Sequence, residues 1–245
     1  MIKLFRNIRQ TFINQGKTTN YLKYAVGEIV LVVIGILVAL QVNNWNEDRK
    51  DQLKAQLYCE KIIDDLNTDL RNIDSLIDKG NEIIKITHSY FQYFDKQNNV
   101  PIQTLVDSCI KASEMAKIYS YTPINYTFKE MQSSGNLGLL NEEQRAAMFK
   151  LSNSQDFFLG IFEKVISQVL DELKMASWYL DLDHSSTDFY AKLGIVKNQE
   201  DMIKGLHHLH NALSQEEELS SYTVFLKTRI SNESSSAIQM LQEIK

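Results

Sequence analysis

The chain has 245 residues, 44% apolar and 23% charged, which is enough to bury a core and too apolar for disorder. Two prolines and nine glycines leave long unpunctuated stretches, against the turn-dense pattern of a sandwich or barrel and in favour of long helices. The net charge of −5 is unevenly placed: residues 1–27 hold Lys3, Arg6, Arg9, Lys17 and Lys23 and no acid, so +5 at the tip leaves −10 for the body. That body argues against nucleic acid as a partner, since phosphate binding needs clustered cations, whereas the tip suits an anionic membrane surface.

In chain order, Ile2, Phe5, Ile8 and Phe12 recur at helical spacing opposite Lys3, Arg6 and Arg9, predicting an amphipathic helix in a membrane interface, broken at Gly16. Next comes the span. Ile29 to Leu40 is an unbroken apolar run, and the wider window Ala25–Val42 reaches the low end of spanning length. Tyr21 and Tyr24 on one side and Trp45 on the other are the aromatics expected at two interfaces. Tyr24 and Trp45 stand roughly 31 Å apart on a helix rising ~1.5 Å per residue, close to a hydrocarbon core. The stretch Leu37–Trp45 offers no small-x-small cleavage site, so an uncleaved signal anchor is expected. Lys and Arg within about twenty residues number five before the span and four after it, a slight bias. The short, purely basic tail places the N-terminus inside and the long C-terminal part outside. Within the span, Gly27, Gly35 and Ala39 form a narrow face of small residues, which permits close helix approach or merely reflects the composition of such helices. Glu28 in the first turn is either held by the helix dipole and Lys23 or contacts a partner helix.

The run KYAVGEIVLVVIGILVALQVNNWNEDRK, with the head MIKLFRNIRQ, closely resembles an uncharacterised family of single-span bacterial inner-membrane proteins. TPINYTFKEMQSSGNLGLL (Thr122–Leu140) resembles that family's second recurring block, a short helix followed by a Ser-Gly-Asn-Leu turn. The resemblance implies an inner-membrane protein with a periplasmic helical domain. It carries no activity and no catalytic residue.

Beyond the span, Ile63, Leu66, Leu70, Ile73, Ile77, Gly80, Ile84, Thr87, Phe91 and Phe94 keep a 3-4 spacing that predicts one long helix with a coiled-coil-like seam. Gly80 and Thr87 weaken that seam, so packing against helices of the same chain is expected. Thr122-Pro123 reads as a cap and first helical position, with Gly135 as the stop. Asn141–Gln144 has capping-box spacing and opens a helix through Phe158, Phe162, Val165, Val169 and Leu173 to Leu180. Residues 181–213 read as two shorter helices divided by Gly194, and Ser214–Glu217 as the capping box of a last helix through Leu219, Leu226 and Ile230. No useful strand alternation occurs. The expected fold is all-α: one transmembrane helix continuing into a long coiled-coil-like helix and an antiparallel helical bundle. Its divisions are a basic cytoplasmic segment over 1–23, the span over 24–45 and a periplasmic bundle over 46–245. With a turn near Asn98, Cys59 and Cys109 lie roughly 40 Å apart by helical rise, too far to pair.

Candidate sites are few. Asp64, Asp65 and Asp69 have DDxxxD spacing without a second acidic helix, which reads as a solvated face. His207, His208 and His210 cluster, but the stripe of Met202, Leu206, Leu209 and Leu213 sends them to different sides and no further ligand completes a metal set. Tyr119, Tyr121 and Tyr126 are the candidate partner surface, against a reading as core packing, with Tyr121 the expected exposed member. No GxSxG, phosphate-cradling glycine loop, HExxH or Cys-His pair occurs. The functional expectation is therefore a membrane-anchored interaction or scaffold module of the cell envelope, without catalysis or cofactor. Its partners would be the membrane and another copy or another envelope protein, not nucleic acid. The alternative is a periplasmic small-ligand sensor relaying through the span to a partner.

Overall fold

The computed structural model describes residues 18–180 and 198–243, with side chains from residue 22 onward except residue 24. The expected amphipathic helix over 2–13 and the expected break at Gly194 lie outside the described residues. All described elements are helical: α1 (Thr18–Asp95), α2 (Ile102–Met115), α3 (Tyr126–Ser133), a 3-10 turn (Asn136–Leu139), α4 (Glu142–Leu180) and α5 (Gln199–Gln242). The chain divides into two units, Met1–Gln56 and Leu57–Lys245, with α1 contributing to both.

In the first unit, α1 carries a window of mean hydropathy 2.5, none of it buried, and is long and apolar enough to cross a membrane. Ile29, Leu31, Ile34, Leu37 and Leu40 all face outward. Valine and isoleucine dominate this stretch yet it is helical, the form that satisfies every backbone group within one segment when no water is at hand. A Cβ added at Gly27 or Gly35 would meet nothing within 4 Å, and Ala39 is exposed, so the small-residue face stands open. Trp45 is exposed and Glu28 half-buried; Tyr21 and Tyr24 lie on α1 with side chains outside the description.

In the second unit, the buried stripe of α1 is Cys59, Ile62, Leu66, Asp69, Ile73, Leu76, Gly80, Ile83, Thr87 and Tyr90, a strict 3-4 alternation. Half of the expected seam is thus displaced by one residue. Leu66, Ile73, Gly80 and Thr87 hold their places, but Ile63, Leu70, Ile77, Ile84 and Phe91 are half-buried flanks, and the next-door residues occupy the seam. Asp69 takes a core position that hydrophobicity alone assigned to Leu70. Gly80 is needed there: a Cβ would come within 2.9 Å of the Tyr119 hydroxyl and 3.1 Å of Thr223 Oγ1. The Thr87 hydroxyl donates back to the Ile83 carbonyl at 3.0 Å, so its burial leaves no polar group unmet.

The turn after α1 places Asn99 at φ 59°, a conformation asparagine tolerates, and Pro101 precedes α2. Helix α4 begins with the expected capping box: Gln144 N–H donates to Asn141 Oδ1 at 2.8 Å and Asn141 N–H to Gln144 Oε1 at 3.0 Å. Such a cap contributes about 0.5–2 kcal/mol. Helices α4 and α5 pack antiparallel along their length. Gln144 reaches the Met240 carbonyl, Lys150 pairs with Glu233, Ser154 accepts from Arg229 and Glu172 meets His208, a descending register.

Two expected helix starts need correction. Helix α5 runs unbroken from Gln199, capped by Asn198 accepting from Asp201 N–H at 2.9 Å, so Ser214–Glu217 is mid-helix. The stripe of Leu206, Leu209 and Leu213 simply continues through Glu216 and Leu219. Helix α3 begins at Tyr126 rather than at Pro123, because Asp69 on α1 takes the Ile124 N–H and holds the preceding segment outside the helix. Its stop is as expected, with Gly135 left-handed at φ 73°.

Candidate functional site

The block 122–140 is held by one face of α1, on which Tyr58, Asp65 and Asp69 stand two and three turns apart. Asp65 accepts the Thr127 N–H at 2.8 Å, capping α3 from another helix. Asp69 accepts the Ile124 N–H at 3.0 Å, the Tyr121 hydroxyl at 3.1 Å and the Gln155 side-chain amide at 2.8 Å. Gln155 in turn accepts from Asn125 at 2.9 Å. The Tyr58 hydroxyl donates to Glu130 at 3.1 Å and receives the Asn136 amide at 3.2 Å. Burial raises the Asp69 carboxyl above its ordinary range, opposed by those same three donors. With three donors on two oxygens and no exposed surface, Asp69 is a clasp between α1, the 121–125 segment and α4. The expected solvated acid face is thus corrected: Asp64 is exposed, Asp65 half-buried and Asp69 fully buried.

The three tyrosines separate. Tyr121 is fully buried, its ring 6.1 Å from Phe162, and burial beside Asp69 pushes its hydroxyl pKa far up. This overturns the expectation that Tyr121 is the exposed member: the Asp69 carboxylate draws its hydroxyl inward. Tyr119 is also buried, with its hydroxyl beside Gly80, Ser220 and Thr223. Tyr126 alone of the three is open, at 63% exposure.

Further exposed rings escaped the sequence reading, among them Phe157 and Phe225, 58% and 67% exposed. The Arg229–Ser154 hydrogen bond sets the α4–α5 register, and three residues after Ser154 and four before Arg229 bring Phe157 and Phe225 to the same level. The signal was present: each is an aromatic one step off its helix's apolar stripe, beside Phe158 and Leu226.

The histidines do not converge. His208 Nδ1 lies 2.6 Å from Glu172 and its ring stacks on Tyr179 at 5.7 Å. His207 faces Asn211, and His210 sits among Tyr90, Phe91 and Phe94, where burial lowers its pKa. Among the described residues, no three His, Cys, Asp or Glu side chains gather as metal ligands. Cys59 and Cys109 are free and buried.

A second buried acid, unforeseen, is Glu216. Its carboxyl faces a small apolar chamber lined by Ile83, Ile118, Tyr119, Ile166, Val169 and Leu219. Oε2 has no hydrogen-bond partner among the described residues, and burial pushes the pKa up to about 8.

Residues 28–214 match the family of unknown function DUF6090. No curated protein and no solved structure matches the chain.

Proposed function

The chain belongs to the family of unknown function DUF6090, a membership that brings no activity with it, and we propose that it is a membrane-anchored, non-catalytic interaction module of the bacterial cell envelope. In this reading Ala25–Val42 crosses the inner membrane with the N-terminus cytoplasmic, and the helical bundle meets a partner protein in the periplasm. The observation that carries it is the pair of large rings, Phe157 and Phe225, left in the open at one level of α4 and α5 while smaller apolar residues are buried. Exposed aromatics on a rigid helix pair are the usual centres of association energy. Tyr126, at 63% exposure, is the member of the original tyrosine set that remains available.

The test is crosslinking in intact membranes with two differently tagged copies, read by mass spectrometry. A Phe157→Ser, Phe225→Ser variant should keep the wild-type melting temperature and lose the wild-type crosslinks. Tyr126→Ala is run in parallel. If both variants fold and retain every crosslink, the interaction reading fails. A second reading, a small-ligand sensor, draws support from an open groove between α1 and α2.

A further inference from the structure

Between the last turns of α1 and helix α2 lies an open groove of about 490 Å³, and a second hollow of about 480 Å³ shares Glu82 and Met115 with it as lining residues. Each falls within the range of roughly 300–1,000 Å³ typical of small-molecule sites. The floor of the first part is apolar, made by Ile86, Tyr90 and Ala112, with the exposed Met115 at its edge. It also carries no charge. The Tyr90 hydroxyl is buried with no hydrogen-bond partner among the described residues, and burial keeps it protonated.

The rim is different. Lys85 and Lys111 border the first hollow and Lys79 and Lys117 the second, against Glu82 as the acid among the lining residues. None of the four ammonium groups forms an ion pair with a described residue, on a chain whose net charge is −5. A cationic rim over a neutral, apolar floor attracts a ligand with one charged end and a hydrocarbon body.

We propose that this groove binds a single-chain amphiphilic anion, its chain laid along Ile86, Tyr90 and Met115 and its carboxylate held by Lys85 and Lys111. The site stands whether the module scaffolds or senses, since it uses none of Tyr126, Phe157 or Phe225. The rim supplies the selectivity. A neutral chain gains as much from the exposed span as from the groove floor, whereas within the groove a carboxylate gains in addition charge-assisted hydrogen bonds from Lys85 and Lys111.

The full chain in phosphatidylcholine nanodiscs is irradiated with a diazirine-bearing hexadecanoate, and labelled peptides are mapped by mass spectrometry. Label is expected on peptides covering 82–93 and 108–117 and, as an internal control, on the lipid-embedded stretch around Leu31–Leu40. Lys85→Glu with Lys111→Glu should cut groove label at least about fivefold, the loss expected when a charge-assisted contact is removed, and leave span label unchanged. The matching diazirine alcohol should label the span as strongly and the groove at least about fivefold less. Both lysines are exposed, so the variant's melting temperature should not move. Absence of groove label, equal groove labelling by acid and alcohol, or no change in the double variant each overturns the proposal. So does groove labelling by a two-chain phosphatidate probe in place of the fatty acid.

Discussion

Replacing Glu216 with glutamine should change the pH dependence of stability more than stability itself. The Glu216 carboxyl faces six apolar or aromatic side chains with no cation, and burial raises its pKa from the ordinary 4.5 to about 8. A folded-state pKa above the unfolded value means that the native chain holds the proton more tightly. The stabilisation from protonation is therefore fully present below about pH 4.5 and is lost as pH rises through about 8. At about 1.36 kcal/mol per pH unit, that gap sets an upper bound of about 5 kcal/mol. Local relaxation around the carboxylate reduces this, leaving a loss of about 2–4 kcal/mol between pH 5 and pH 9. Glutamine keeps the shape and cannot ionise. Far-UV circular dichroism melts of the full chain should thus give similar midpoints for wild type and Glu216→Gln near pH 5. At pH 9 the variant should melt at least about 4 °C higher, since about 1 kcal/mol moves a domain of this size by roughly 2–4 °C. A constant difference between the two proteins from pH 5 to pH 9 would refute the reasoning, because it would show that the carboxyl ionises as easily folded as unfolded. The neighbouring Tyr119 hydroxyl, itself raised by burial, does not titrate in this window and leaves the comparison clean.

Asp69→Ala strands the Ile124 N–H, the Tyr121 hydroxyl and the Gln155 amide, and should cost about 3–5 kcal/mol by urea titration. Combined with Tyr121→Phe it should cost less than the sum of the two singles; strict additivity would show that the hydrogen bond contributes nothing. Gly80→Ala pushes a methyl against the Tyr119 hydroxyl and Thr223, costing about 1–3 kcal/mol, and Tyr119→Phe in the same chain should recover part of it. Were Gly80→Ala to stabilise the helix instead, the close approach at that position would be wrong. For topology, a cysteine replacing Asn7 should resist a membrane-impermeant thiol reagent in intact cells while one replacing the exposed Gln199 reacts. The reverse pattern inverts the orientation.

Periodicity and caps carried the fold: the apolar run before Trp45, the box at Asn141 and the left-handed Gly135 all register in backbone geometry that follows from local residue type. What stayed hidden were polar residues in apolar places. Two 3-4 stripes that share Leu66, Ile73, Gly80 and Thr87 fit α1, hydrophobicity favours the one with Leu70, and the choice of Asp69 instead depends on donors from residues 121, 124 and 155 that no local window contains. The same blindness misread Ser214–Glu217, whose spacing suits a cap in isolation but whose Glu216 continues the buried face of α5. Tyr121 failed as a surface residue for the same cause, being drawn in by a carboxylate 52 positions earlier. The exposed rings Phe157 and Phe225 were legible in principle, since an aromatic off the apolar stripe has no core to enter.

The clasp at Asp69 also sets a timetable for synthesis. Its last partner, Gln155, is made 86 residues after Asp69 itself, so at translation rates of about 5–20 residues per second α1 waits roughly 4–17 s for α4. During that interval Ile62, Leu66, Ile73 and Leu76 have no covering helix, and the nascent chain displays an apolar stripe. Any holdase or insertion factor that serves this protein must shield that stripe for seconds and release it when residues 121–155 arrive.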